Sequence, residues 1–198
     1  MNFRWLPNIL TSIRVLLVPI FLYCLFTEYD HGKFIALITF LVAAITDAYD
    51  GIIARKYNLV SKFGIFFDPL ADKILILSAF YAFMFIPILS PMVKLWMVIL
   101  ISFRDVVITI LRTILQYKGI TMITSKLGKL KTALQLITIN VILIFLILNS
   151  YKVGMPYIWN EIKFLYILML ITTIITFYTG LHYLLYNYKT LEKLIYNK

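Results

Sequence analysis

The chain has 198 residues, 62% of them hydrophobic and 14% charged, with a formal net charge of +10 and a mean hydropathy of +0.92. An average soluble domain is about half apolar and about a quarter charged, so the composition excludes an ordinary water-soluble globule. A basic nucleic-acid binder is excluded too, because the short connections between apolar runs leave no basic soluble face to carry one.

Six apolar stretches follow one another, at about 7–27, 34–54, 64–89, 92–115, 133–149 and 164–186, each near the roughly 20 residues a spanning helix needs. The first opens on "LPNILTSIR", where Asn8 could cap a helix entry. It is too long for a signal-peptide core, and no small-residue cleavage site follows it. Its Cys24 is the only cysteine, cannot pair within the chain, and reads as a buried packing residue. His31, in the turn that follows, reads as solvated.

The second stretch ends in an acidic pair, Asp47 and Asp50. Three residues apart, they share one helical face. The third begins with Asp68 and Asp72, four apart and again on one face. A short loop joins the two stretches, so the pairs can face each other across an antiparallel contact. Four carboxylates converging in a low dielectric cannot all ionise unless cations join them. That number of hard oxygen ligands suits two divalent ions, Mg²⁺ or Mn²⁺, with coordination positions left for phosphate oxygens. Gly51 would let a phosphate or sugar approach the backbone, Ala54 keeps the same face narrow, and Arg55 can clamp a phosphate with its planar fork. Gly64 serves close helix packing or substrate access. Pro69 fits either a helix's first turn or a kink.

The fourth stretch carries Arg104, Asp105 and Arg112, and Lys126, Lys129 and Lys131 precede the fifth. The fifth and sixth stretches read as generic apolar sequence. His182 stands among Tyr178, Tyr183, Tyr186 and Tyr188, an aromatic belt of the kind found at membrane interfaces. With six spans the two termini share a side. That side collects Arg4, Arg55, Lys56, Lys62, Lys118, Lys126, Lys129, Lys131, Lys189, Lys193 and Lys198, and the positive-inside rule places it in the cytoplasm. The expected architecture is an all-α integral membrane protein: one domain over residues 1–198, six transmembrane helices, acidic cluster at the cytoplasmic face.

The pattern Asp47-x₂-Asp50-Gly51-x₂-Ala54-Arg55-x₈-Gly64-x₃-Asp68-x₃-Asp72 resembles the signature of the CDP-alcohol phosphotransferases. The resemblance implies a six-helix membrane fold, a homodimer, a dimetal site at the cytoplasmic interface, and transfer of a phosphatidyl or similar group from a CDP-linked donor to an alcohol, with release of CMP. It implies that Asp47, Asp50, Asp68 and Asp72 hold the metals and that Asp72 is the base for the acceptor hydroxyl. Asn8, Thr11, Gly51, Ala54, Arg55, Ser61 and Gly64 would then form the CDP-donor site, with Arg14 a further donor contact.

Residues 103–135, "FRDVVITILRTILQYKGITMITSKLGKLKTALQ", resemble the phosphatidylglycerophosphate synthase branch. This implies CDP-diacylglycerol as donor and glycerol 3-phosphate as acceptor, with Arg104, Arg112, Lys129 and Lys131 forming a basic acceptor pocket. Two positions depart from that branch. Asp105 stands where glutamate is usual, and Ile65 where many relatives carry lysine. Two alternatives share the chemistry: a cardiolipin synthase and a phosphatidylinositol-phosphate synthase. A cation transporter using the aspartates as an ion path is the alternative from another class. It would place such residues near the bilayer midplane, often between inverted repeats, whereas here they cluster toward one end and no repeat is visible.

Overall fold

A run of apolar side chains has nothing with which to satisfy its backbone polar groups except the backbone itself, and this chain does so with helices. The computed structural model describes residues 6–29, 31–56, 62–117, 126–151, 158–188 and 192. It describes the side chains of 12–29, 31–46, 73–115, 128–151, 162–188 and 192. Six α-helices follow in order: α1 (Leu6–Phe26), α2 (Gly32–Lys56), α3 (Lys62–Met84), α4 (Leu95–Tyr117), α5 (Lys126–Ser150) and α6 (Ile158–Tyr186). Among the described residues there is no strand. All six expected helices are present, and their ends differ from expectation in instructive ways.

The third apolar run continues to Leu89, but α3 stops at Met84 and a short 3₁₀ turn, Pro87–Leu89, follows it. Proline drives the residue before it out of the helical region, and Ile86 is accordingly extended, with φ −89° and ψ 115°. At the other extreme, α5 begins at Lys126, well before its apolar run, because lysine is a good helix former that an apolar-run criterion excludes. Pro69 falls inside α3 rather than in its first turn. Pro19 lies inside α1.

The helices close into a ring. α1 packs on α2, α2 on α5, α5 on α6, α6 on α4, α4 on α3 and α3 back on α1, with α3 also touching α5 across the middle. Phe21, Phe40, Phe80, Phe83, Met92, Met97 and Ile142 are fully buried in one core that draws on all six helices. Phe21 and Phe40 lock α1 to α2 with ring centroids 5.7 Å apart. Cys24, expected to be buried, is only partly covered and packs against this core.

The turn between α1 and α2 requires glycine at one position. A Cβ on Gly32 would lie 2.8 Å from the Cys24 carbonyl oxygen, closer than atoms of the two can approach. The turn is tied further by Lys33 Nζ donating to the Thr27 carbonyl at 2.6 Å. His31, exposed as expected, hydrogen-bonds the Tyr151 hydroxyl and so joins this turn to the end of α5.

Large apolar side chains cover the outside as well as the core. Tyr23 is 76% exposed, Phe103 65%, Ile174 58% and Leu185 77%. Among the described residues, Gly128–Ser150 and Ile162–Tyr186 are long and apolar enough to cross a membrane, and Ser12–Phe26, Gly32–Thr46 and Lys73–Met84 are shorter apolar helical stretches.

Candidate active site

Two places in the fold collect polar chemistry. The first is the adjoining ends of α2 and α3. Asp47 and Asp50 lie toward the end of α2, and Asp68 and Asp72 in the opening turns of α3. These helices are consecutive, and only five residues, 57–61, separate them. The chain therefore returns the helix ends that carry these residues to the same end of the ring. A donor set of four carboxylates suits hard divalent ions, which is the chemistry expected from the sequence. The side chains of the four aspartates lie outside the described residues, as do those of Asn8, Thr11, Gly51, Ala54, Arg55 and Gly64; Ser61 lies outside them entirely. Among the described residues no three His, Cys, Asp or Glu side chains gather to form another metal site.

The second place is a polar seam between α4, α5 and α6, and its hub is Asp105. This carboxylate is fully buried. Lys131 of α5 and Arg104 both hold Oδ1, the guanidinium through Nη1 at 3.1 Å. Gln135, one turn beyond Lys131, donates from Nε2 to Oδ2 at 3.2 Å. An ionised carboxylate in such a site is tolerable only when paired and hydrogen-bonded, and here cations occupy one oxygen and an amide the other. The same arrangement explains how Lys131, 2% exposed, tolerates burial. Among the described residues two cations share one anion, so the seam carries a positive surplus there.

The side of the seam opposite Asp105 is built by α6. Arg104 Nη2 donates to Thr179 Oγ1 at 3.2 Å, Gln135 Nε2 reaches Thr176 Oγ1 at 3.5 Å, and Thr138 and Thr172 share a hydrogen bond of 2.7 Å. Thr172, Thr176, Thr179, Gly180 and Tyr183 recur at the spacings that place side chains on one helical face, and all five are buried. Tyr183 lies within electrostatic reach of both Arg104 and Arg112. Arg112 is half-buried.

Of the residues expected in a basic pocket, the structure joins Arg104 and Lys131 through Asp105 and brings Arg112 near them by way of Tyr183. It does not bring in Lys129, which is exposed. It adds Lys73 of α3, which lies close enough to interact electrostatically with Asp105 and Lys131. Lys73 directly follows Asp72, so α3 carries the acidic end and the basic seam on neighbouring residues. Sequence reasoning missed Lys73, Thr176, Thr179, Gly180 and Tyr183. A usable signal existed in α6, namely polar or small residues at helical spacing within an apolar run. His182 is stacked on Tyr186 at an interplanar angle of 10° and lies beside Tyr178, whereas Tyr183, expected in the same aromatic belt, is buried.

Comparison with known proteins covers both places. The chain is 36% identical over 151 residues to the CDP-diacylglycerol–glycerol-3-phosphate 3-phosphatidyltransferase of Bacillus subtilis, a match taking in 70% of this chain and 76% of that protein. The protein of the same name from Rickettsia felis is 34% identical over 153 residues, 77% of this chain and 80% of its own. That from Escherichia coli is 29% identical over 185 residues, 90% and 92% of the two chains. The family described as CDP-alcohol phosphatidyltransferase matches residues 4–183. That span takes in the aspartates of α2 and α3 together with the seam that α4, α5 and α6 build around Asp105, and the chain belongs to the CDP-alcohol phosphatidyltransferase family.

Proposed function

We propose that this enzyme transfers the phosphatidyl group of CDP-diacylglycerol to glycerol 3-phosphate, giving phosphatidylglycerophosphate and CMP. The observation that carries the choice of acceptor is the positive surplus in the interior. Arg104 and Lys131 share a single buried carboxylate, with Arg112 close by. An anionic acceptor supplies the missing negative charge, and a neutral alcohol does not; among anionic acceptors, the names of the relatives favour glycerol 3-phosphate.

Asp47, Asp50, Asp68 and Asp72 would hold two divalent ions, Mg²⁺ or Mn²⁺, whose chemistry is to neutralise the donor pyrophosphate and the departing CMP. Asn8, Thr11, Gly51, Ala54, Arg55, Ser61 and Gly64 would line the donor site. Asp72 would take the proton of the acceptor's primary hydroxyl as its oxygen forms a bond to phosphorus, while the bond from phosphorus to the CMP oxygen breaks. Arg104, Arg112 and Lys131 would anchor the acceptor phosphate and so present its hydroxyl to Asp72 for in-line attack.

The six helices would span the cytoplasmic membrane, with the active site facing the cytoplasm. The exposed apolar side chains on every helix support this, and 21 to 29 residues per helix correspond to roughly 31–44 Å at 1.5 Å per residue, enough for a hydrocarbon core of about 30 Å. The chain would work as a homodimer in that membrane.

The test is CMP release by purified protein from labelled CDP-diacylglycerol against a panel of acceptors. Release that depends on glycerol 3-phosphate is expected. Release that instead depends on phosphatidylglycerol or inositol phosphate would reassign the acceptor, and flux of divalent ions without CMP release would replace the enzyme with a transporter.

A further inference from the structure

Arg104 has an unusual setting. Its side chain is 10% exposed and lies along the backbone of Gly180 on α6. A Cβ at position 180 would fall 2.6 Å from Arg104 Cγ, 3.0 Å from Nε and 3.4 Å from Cδ. The first of these is closer than real Cβ contacts come, and it meets the root of the side chain rather than a free end that could swing away. Beyond the glycine, Thr179 accepts from Nη2 at 3.2 Å, and its own hydroxyl donates to the Thr176 carbonyl at 2.9 Å, which fixes the direction of its lone pairs. On the other side Asp105 holds Nη1. The guanidinium is thus gripped at both terminal nitrogens, and its stem runs through a channel that exists only because residue 180 has no side chain.

A guanidinium carries five donors in a rigid fork. Asp105 and Thr179 are hydrogen-bonded by one terminal nitrogen each, while Nε finds no partner among the described residues. Donors therefore remain for an anion, and the orientation of the fork decides whether they point at it.

We propose that Thr179 and Gly180 of α6 are positioning residues for the acceptor: they hold the Arg104 guanidinium at the angle at which it receives the phosphate of glycerol 3-phosphate. This rests on the acceptor pocket proposed above and assigns part of it to a helix whose sequence reads as plain apolar filling. The two residues touch no reacting atom and act through Arg104.

The test uses the full chain, purified and assayed with CDP-diacylglycerol and glycerol 3-phosphate, on Gly180→Ala, Thr179→Val, Thr179→Ser and Arg104→Ala. Loss of an aligned charged hydrogen bond corresponds to about tenfold or more in binding. Gly180→Ala and Thr179→Val are therefore expected to raise the glycerol 3-phosphate KM about tenfold while leaving the CDP-diacylglycerol KM within about twofold, and Thr179→Ser, which keeps the acceptor oxygen, to stay near wild type. Thr179→Val is nearly isosteric, so it keeps the test open if Gly180→Ala does not fold. A rise in the glycerol 3-phosphate KM for Arg104→Ala alone, or an equal rise in both KM values for the α6 variants, would overturn the positioning role and leave the pocket standing. An unchanged glycerol 3-phosphate KM in Arg104→Ala would overturn the pocket and the positioning role with it.

Discussion

Removing the carboxylate of Asp105 would leave the Lys131 ammonium and the Arg104 guanidinium buried side by side with no counter-charge. Breaking a buried pair from one side costs about 3–5 kcal/mol, because the stranded charge keeps its desolvation penalty and loses its compensation. Asp105→Ala is expected to destabilise the protein by about that much, read as a lowered thermal midpoint in detergent. Adding Lys131→Met should recover part of the loss, since one of the two stranded cations is then gone. Losses that simply add in the double variant would mean that the two side chains are not coupled. The residue that departs from the usual glutamate is therefore the hub of the seam. Its shorter reach suffices because Lys131 and Gln135 come to it from successive turns of α5.

Helices differ in how openly they declare what they do. The six apolar runs were legible because hydropathy registers leucine, isoleucine and phenylalanine strongly, and the aspartate pairs stood out because acids are rare in such runs. The polar face of α6 did not stand out. Threonine is close to neutral in hydropathy, and Thr172, Thr176 and Thr179 are set among exposed bulky residues such as Ile174, Phe177 and Tyr178. The end of α3 was missed for a local reason, the backbone restriction imposed by Pro87, and the start of α5 because lysines extend a helix without extending an apolar run. Lys129 was expected beside Lys131 but points outward, since residues two apart on a helix do not share a face.

The threonines that bridge α5 and α6 also limit what the seam contributes to stability. Thr138 and Thr172 share their 2.7 Å bond, which one hydroxyl donates and the other accepts, and each hydroxyl also lies 2.8 Å from a carbonyl of its own helix, that of Leu134 or Leu168, to which it can donate instead. Either one keeps a partner when the other is lost. A double-mutant cycle with Thr138→Val and Thr172→Val is expected to give a coupling of about 0.6 kcal/mol, within the range measured between membrane helices. A coupling above about 2 kcal/mol would mean that the contact is a main tie between α5 and α6 rather than one rung among several.

At the scale of the molecule, the ring of helices sets two opposite charges against each other. The ends of α2 and α3 hold four aspartates, and α4, α5 and α6 enclose a surplus of cations; α3, with Asp72 followed by Lys73, belongs to both. Lys73 interacts electrostatically with Asp105 and Lys131. Four carboxylates gathered as proposed would repel one another until cations join them, and a ligand that binds only the folded protein stabilises it by mass action, by about 2.7 kcal/mol at a hundredfold excess over its dissociation constant. Mg²⁺ or Mn²⁺ should therefore raise the thermal midpoint of the metal-stripped protein, with no substrate present, and Asp50→Asn should abolish that rise. Stripping the metal with a chelator should also stop CMP release, and adding either ion back should restore it. A midpoint that ignores both ions, in protein that still turns over after chelation, would remove the metal from the account. The aspartates would then have to be neutralised by protons or by the lysines and arginines nearby, and the donor pyrophosphate would need another partner for its charge.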